Sequence, residues 1–197
     1  MNKVAPTKAE IALLEPFAGL TLERIHVPAG SPEFASAAAE IKAAGIVGFD
    51  TESRPTFVTG DVSEGPHVVQ FALHDKAYLF QLHRAEGLPL LLELLQSEQL
   101  IKAGFGLRSD RKHILAKLGV HFNAVVDLNT VFSMDGYHKE MGVRAAVGLV
   151  LKQRFAKPQA YDHFQLVAAP AHRAADALCG QRCLRGAEGA GGVEAAK

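Results

Sequence analysis

The chain has 197 residues, 48% of them hydrophobic, enough for one domain with a buried core and short tails. Lys plus Arg and Asp plus Glu are equal at 21 each, so no overall field draws the protein toward nucleic acid or a membrane, and a polyanion would have to be held by a local patch. Only two cysteines, Cys179 and Cys183, exclude a disulfide framework or an all-cysteine zinc site, and neither an apolar leader nor a run of bilayer-spanning length occurs, so a reducing cytoplasm without membrane association is expected.

In chain order, residues 1–20 read as an N-terminal extension with a short helix around Ile11-Ala12-Leu13-Leu14. Leu22 to Val27 alternates roughly as a strand does before Pro28. Ser31, Pro32 and Glu33 make a helix start, and Phe34, Ala37, Ala38 and Ile41 recur at helical spacing until Gly45. Ile46-Val47-Gly48-Phe49-Asp50-Thr51-Glu52 is a buried strand that ends in two carboxylates. Side chains alternate faces along a strand, so Asp50 and Glu52 share one and Thr51 takes the other.

A turn-rich loop, Arg54-Pro55 to Gly65-Pro66, leads to His67–Leu73 and then, past His74-Asp75-Lys76, to Ala77–Leu82. Three successive strands predict an antiparallel meander. Leu88–Leu95 reads as an apolar helix and Leu100–Phe105 as a brief strand. A helix over Asp110–Leu118 closes at Gly119, and the rest alternates as a strand at Ala124–Asp127 and helices over Leu128–Phe132 and Val143–Arg154. The sum is an α/β domain with a central mixed sheet flanked by helices.

An isolated Asp-x-Glu at a strand end is ordinarily a solvated pair of acids. Buried on one rigid edge, the two carboxylates need a cation, and hard oxygen ligands suit Mg²⁺ or Mn²⁺. Asp110, early in a helix after a glycine-containing loop, is a third acid that a helix start beside the sheet edge can bring opposite them, although a helix-terminal Asp commonly acts as a cap or dipole partner. Three convergent carboxylates would hold divalent ions, which in two-metal phosphoryl chemistry sit roughly 3.5–4 Å apart.

Val47 to Phe57, Val68-Val69-Gln70-Phe71-Ala72, Ile101 to Asp110, and Val126 to Phe132 together resemble the ordered motifs of the DEDD 3′–5′ exonuclease superfamily, in the branch of RNase D and the Werner-helicase exonuclease domain. The resemblance covers roughly residues 20–157 and implies an RNase H-like fold over a domain at 21–157. It also implies Asp50, Glu52 and Asp110 as catalytic metal ligands, with Mg²⁺ or Mn²⁺ in a two-metal site and no other cofactor. The implied reaction is hydrolysis of the terminal phosphodiester at a single-stranded 3′ end of DNA or RNA, releasing nucleoside monophosphates. Arg108, Arg111, Lys112, Arg144, Lys152, Arg154 and Lys157 supply cations for a phosphate-tracking groove, and Phe105 or Phe57 an aromatic for stacking, although charged helix faces are often merely solvated and Phe in an apolar run is usually core.

The family's third motif, Tyr-Ala-Ala-x-Asp-Ala preceded by Ser-Asn-Trp, is missing, and the chain holds no Trp. His172 and Asp176 keep the Tyr-to-Asp spacing, with an imidazole able to act as base. Suitable synonymous codons for Ala160–Val167, read one base later, give Pro-Met-Thr-Thr-Ser-Asn-Trp-Ser, and those for Asp176–Glu188 give Met-Leu-Tyr-Ala-Ala-Asn-Asp-Ala-Tyr-Val-Ala-Leu. Residues 158–197 therefore read as an out-of-frame, poorly ordered tail in which His172, Asp176 and the cysteines are accidental. Loss of the third motif impairs turnover, and the alternative function is a catalytically inactive nucleic-acid-binding remnant of the same fold.

Overall fold

The computed structural model describes residues 3–53 and 65–155. Arg54, Phe57, Lys157, the 158–197 tail and its His172 and Asp176 lie outside the described residues. The chain runs α1 (Lys8–Ala12), β1 (Glu15–Pro16), β2 (Ile25–His26), α2 (Ser31–Ala44), β3 (Ile46–Glu52), β4 (Val68–Ala72) and β5 (Ala77–Gln81). It continues with α3 (Leu88–Gln96), β6 (Ile101–Gly104), α4 (Arg108–Leu118), β7 (Val125–Asp127), α5 (Leu128–Met134), α6 (Val143–Val150) and β8 (Gln153–Arg154).

Six strands form one sheet in the order β2-β5-β4-β3-β6-β7. The expected meander is present: β4 lies antiparallel to both β3 and β5, with Asp50 opposite Gln70 and Phe71 opposite both Phe49 and Tyr78. From β3 onward the other half is parallel, Gly48 pairing with Ala103 and Gly104 with Asp127. This mixed sheet between helices is the RNase H-like α/β fold. Because β3, β6 and β7 run the same way, Glu52, Gly104 and Asp127 end together on one edge, where open α/β sheets place their ligands.

One face of the sheet carries Val47, Phe49, Val69, Phe71, Tyr78 and Phe80, packed with Phe34 and Ile41 of α2, Leu91, Leu94 and Leu95 of α3, and Ile114 of α4. Burying each such side chain contributes about 1.5–3 kcal/mol, so this layer dominates the stability of the domain. A second cluster joins Ala103 to Leu128, Phe132, Met141 and Ala146. A third, smaller one holds Ala72, Ala77 and Leu79 on the face that Asp50 shares.

Several local expectations give way to longer-range bonding. Gly30, rather than Ser31, is the N-cap of α2; the Ser31 hydroxyl donates to Glu86, and the Glu33 carboxylate takes the Ala29 N–H. Leu22–Arg24 is a 3₁₀ turn, and only Ile25–His26 of the expected strand pairs, in parallel with Ala77 and Tyr78. The last helix stops at Val150 instead of reaching Arg154: Lys152 takes φ 54°, and Gln153–Arg154 pairs with Glu15–Pro16. That pairing joins the two ends of the described chain, with Ile11 buried against α6 at Gly148.

Candidate active site

Asp50 and Glu52 project from the last turn of the pleat in β3, Asp50 half-buried and Glu52 exposed. The Thr51 N–H donates to Asp50 Oδ1 at 2.9 Å. Asp110 is the third residue of α4 and only 8% exposed. It is not the cap that its position suggested: Leu107 occupies that place without a side-chain bond, and Asp110 turns toward the sheet. There the Thr51 hydroxyl donates to Asp110 Oδ1 at 2.5 Å, with Ser109 Oγ at 3.5 Å from Oδ2. The middle residue of Asp50-Thr51-Glu52 therefore touches both of the less exposed acids, one through its backbone and one through its side chain.

Electrostatics report the same convergence. Burial pushes the Asp50 carboxyl up from 3.8 to about 7, and the negative charges of Asp110 and then Glu52 push in the same direction. Each of these acids is thus close enough to disfavour ionisation of Asp50. Even so, among the described residues no group of three or more His, Cys, Asp or Glu side chains stands in a metal-holding arrangement. The donor chemistry suits a hard divalent cation.

The approach of α4 depends on the short loop after β6. A Cβ on Gly104 would lie 2.5 Å from the Phe49 carbonyl, so only glycine lets β6 come this close to β3 at the site. Gly106 follows with φ +68°, a left-handed turn that L side chains adopt with strain. Asp127 then locks the loop: its carboxylate accepts from the N–H groups of Gly106 at 3.2 Å and Leu107 at 3.0 Å while capping α5 through Asn129 N–H at 3.0 Å. One acid thereby fastens the start of α4 to the start of α5, which fixes where Asp110 sits.

The expected basic residues do not form one groove. Arg108 and Arg111 border a hollow of about 480 Å³ with Asp127 and Thr130, whose lining includes none of Asp50, Glu52 and Asp110. Arg144 and Arg154 border a separate one of about 710 Å³ with Lys8 and Ile11, at the seam between α1 and α6. Lys112 and Lys152 are exposed. Phe105 is half-buried and packs against the Leu128 cluster.

Sequence reasoning missed four residues here. Alternation along the strand puts Thr51 on the face away from Asp50 and Glu52, and Asp127 offers only a generic signal, an Asp one residue before a helix. Lys102, fully buried, donates from Nζ to the carbonyls of Leu94, Leu95 and Ser97 and so caps α3 from the neighbouring strand. Burial lowers its ammonium to about 8. Gln70 is the fourth, buried opposite Asp50.

Comparison with known proteins points one way. A family model described as 3′–5′ exonuclease matches residues 25–157. No curated protein sequence matches the chain. Among solved structures, Trypanosoma brucei RNase D superposes with a TM-score of 0.68 at 16% identity, over 79% of this chain and 64% of that one. Escherichia coli RNase D gives 0.65 at 14% identity, over 84% and 46%, and the Aedes aegypti Nibbler EXO domain gives 0.58 at 19%, over 81% and 85%. The chain thus spans less than two thirds of either RNase D, and at these identities the likeness establishes the fold.

Proposed function

Since the chain belongs to the 3′–5′ exonuclease family, we propose that it hydrolyses the terminal phosphodiester at a single-stranded 3′ end of DNA or RNA, releasing nucleoside monophosphates, in a cytoplasmic setting. Asp50, Glu52 and Asp110 are the residues that would hold Mg²⁺ or Mn²⁺, which when bound supplies Lewis-acid stabilisation of the phosphoryl oxygens and activates water. The observation that carries this reading is the convergence at the end of β3: the Thr51 hydroxyl, between Asp50 and Glu52, donates to Asp110 from a distant part of the chain, and burial, Asp110 and Glu52 together oppose ionisation of Asp50. Thr51 restrains Asp110, Asp127 fixes the loop ahead of it, and Arg108, two residues before Asp110 on α4, offers a cation to the phosphates.

A second reading, a nucleic-acid-binding remnant that no longer cuts, draws support from one observation: no three-acid metal group is formed among the described residues. Without the family's third motif the chain as written is expected to turn over weakly, and a one-base slip in the coding DNA near Pro158 would account for that motif's loss. A 5′-labelled single strand incubated with Mn²⁺ separates the two readings. Shortening from the 3′ end that disappears in Asp50→Ala supports the nuclease. Shortening that survives in Asp50→Ala overturns the site, and binding without shortening by the wild type leaves the remnant.

A further inference from the structure

Gln70 lies in the middle of β4, directly opposite Asp50 on one side and Leu79 on the other, so all three side chains leave the same face of the sheet. Its neighbours along its own strand on that face are Val68 and Ala72. Of the four positions that flank it directly, only Asp50 carries a polar side chain; Glu52 and Gln81 stand on the diagonals. The residue is 2% exposed, and its Oε1 is buried without a hydrogen-bond partner.

A buried amide oxygen in that state is unfavourable, and an apolar side chain would fill the space more cheaply. Leaving an amide at this position makes sense if it serves its one directly opposed polar neighbour. An amide oxygen turned toward that carboxylate would repel it, whereas an amide N–H would be attracted. A half-turn of the amide about its last side-chain bond exchanges Oε1 and Nε2 at almost no change in volume and sets a donor beside the carboxylate.

We infer that Gln70 is a positioning residue of the acid site: its amide N–H donates to the Asp50 carboxylate and holds it in the orientation that receives a divalent cation. The inference rests on the assignment of Asp50 as a metal ligand. Asp50 is the better placed of the pair for such help, because it is the more deeply set and stands directly opposite Gln70. Ligating carboxylates are themselves commonly hydrogen-bonded, and removing such a partner typically weakens metal binding 10–100-fold.

The test is Mn²⁺ binding to the full 197-residue chain, read as free Mn²⁺ by electron paramagnetic resonance, with thermal unfolding in EDTA measured alongside. Gln70→Met keeps length and bulk but has no N–H; Gln70→Glu keeps the shape and adds a charge. Both are expected to weaken Mn²⁺ binding about tenfold or more, while Gln70→Met keeps or raises the Tm because a buried orphan oxygen has gone. Mn²⁺ binding that is lost in Asp50→Ala but unchanged in Gln70→Met overturns the positioning role alone. Wild-type binding that is absent or indifferent to Asp50→Ala overturns the metal-site assignment and the inference with it. A lower Tm in Gln70→Met with unchanged Mn²⁺ affinity would make Gln70 purely structural, again against the proposal.

Discussion

The two faces of β3 obey opposite rules. Val47 and Phe49 point into a layer of rings and branched aliphatics, with Phe49 set 5.5 Å from Phe71 and 4.4 Å from Phe122 between centroids. On the other face Asp50 brings a carboxyl into a half-buried place where two more negative charges oppose it. The first face maximises stability, whereas the second tolerates a local loss of it. A strand whose back is clamped by the aromatic layer holds its front rigid, so carboxylates that would drift apart in water stay together.

The contrast breaks most visibly from the aromatic side. Phe71 is fully buried and meets Phe80 edge-on at 5.6 Å as well as Phe49. Phe71→Ala leaves a cavity between sheet and helices and is expected to lower unfolding free energy by about 3–5 kcal/mol, a large part of a typical domain's total. Urea denaturation followed by circular dichroism measures it. A loss below about 1 kcal/mol would show that this face is not where the stability resides.

From the acid side the sign reverses. The Asp50 carboxyl titrates near 3.8 when free and near 7 in the fold, so between those values the folded chain binds a proton that the unfolded chain has released. Stability from this group is therefore fully present below about pH 4, declines as pH rises, and is lost above about pH 7. The displacement corresponds to at most about 4 kcal/mol. In EDTA, Asp50→Asn is expected to match the wild type at pH 4 and to exceed it increasingly toward pH 8. Urea midpoints across that range test it, and equal midpoints at pH 8 would mean that the ionised carboxyl is not strained by its surroundings.

These two regions were not equally legible in the sequence. The aromatic face and the sheet could be read from uninterrupted apolar runs, because burial on a strand leaves a local pattern. The shared face of Asp50 and Glu52 followed from alternation alone. What could not be read was anything set by the path of the chain in space. Thr51 belongs by alternation to the far face, yet α4 arrives from that side and ends on its hydroxyl. Lys102 sits in an apolar strand with no local sign that three helix-end carbonyls wait for it. Gln153 and Arg154 continue a helical pattern, but their partners are Glu15 and Pro16, at the other end of the described residues.

Thr51 gives the finest test of how the two faces are coupled, because it stands between them. Val matches Thr in size and branching, so Thr51→Val preserves the packing of β3 and removes one hydroxyl. The Asp110 carboxylate then keeps its low exposure but loses its short donor, leaving the weaker approach of Ser109 Oγ at 3.5 Å. A hydrogen bond to a charged group contributes about 1.5–3 kcal/mol, so the expected stability loss is about 1–2 kcal/mol, smaller than either effect above. Because Asp110 is also freed to turn, Mn²⁺ affinity should fall about tenfold, while Thr51→Ser, which retains the hydroxyl, should recover most of it. If Thr51→Val weakened folding and left Mn²⁺ binding intact, Asp110 would be a structural acid of helix α4 and the site would reduce to the pair on β3.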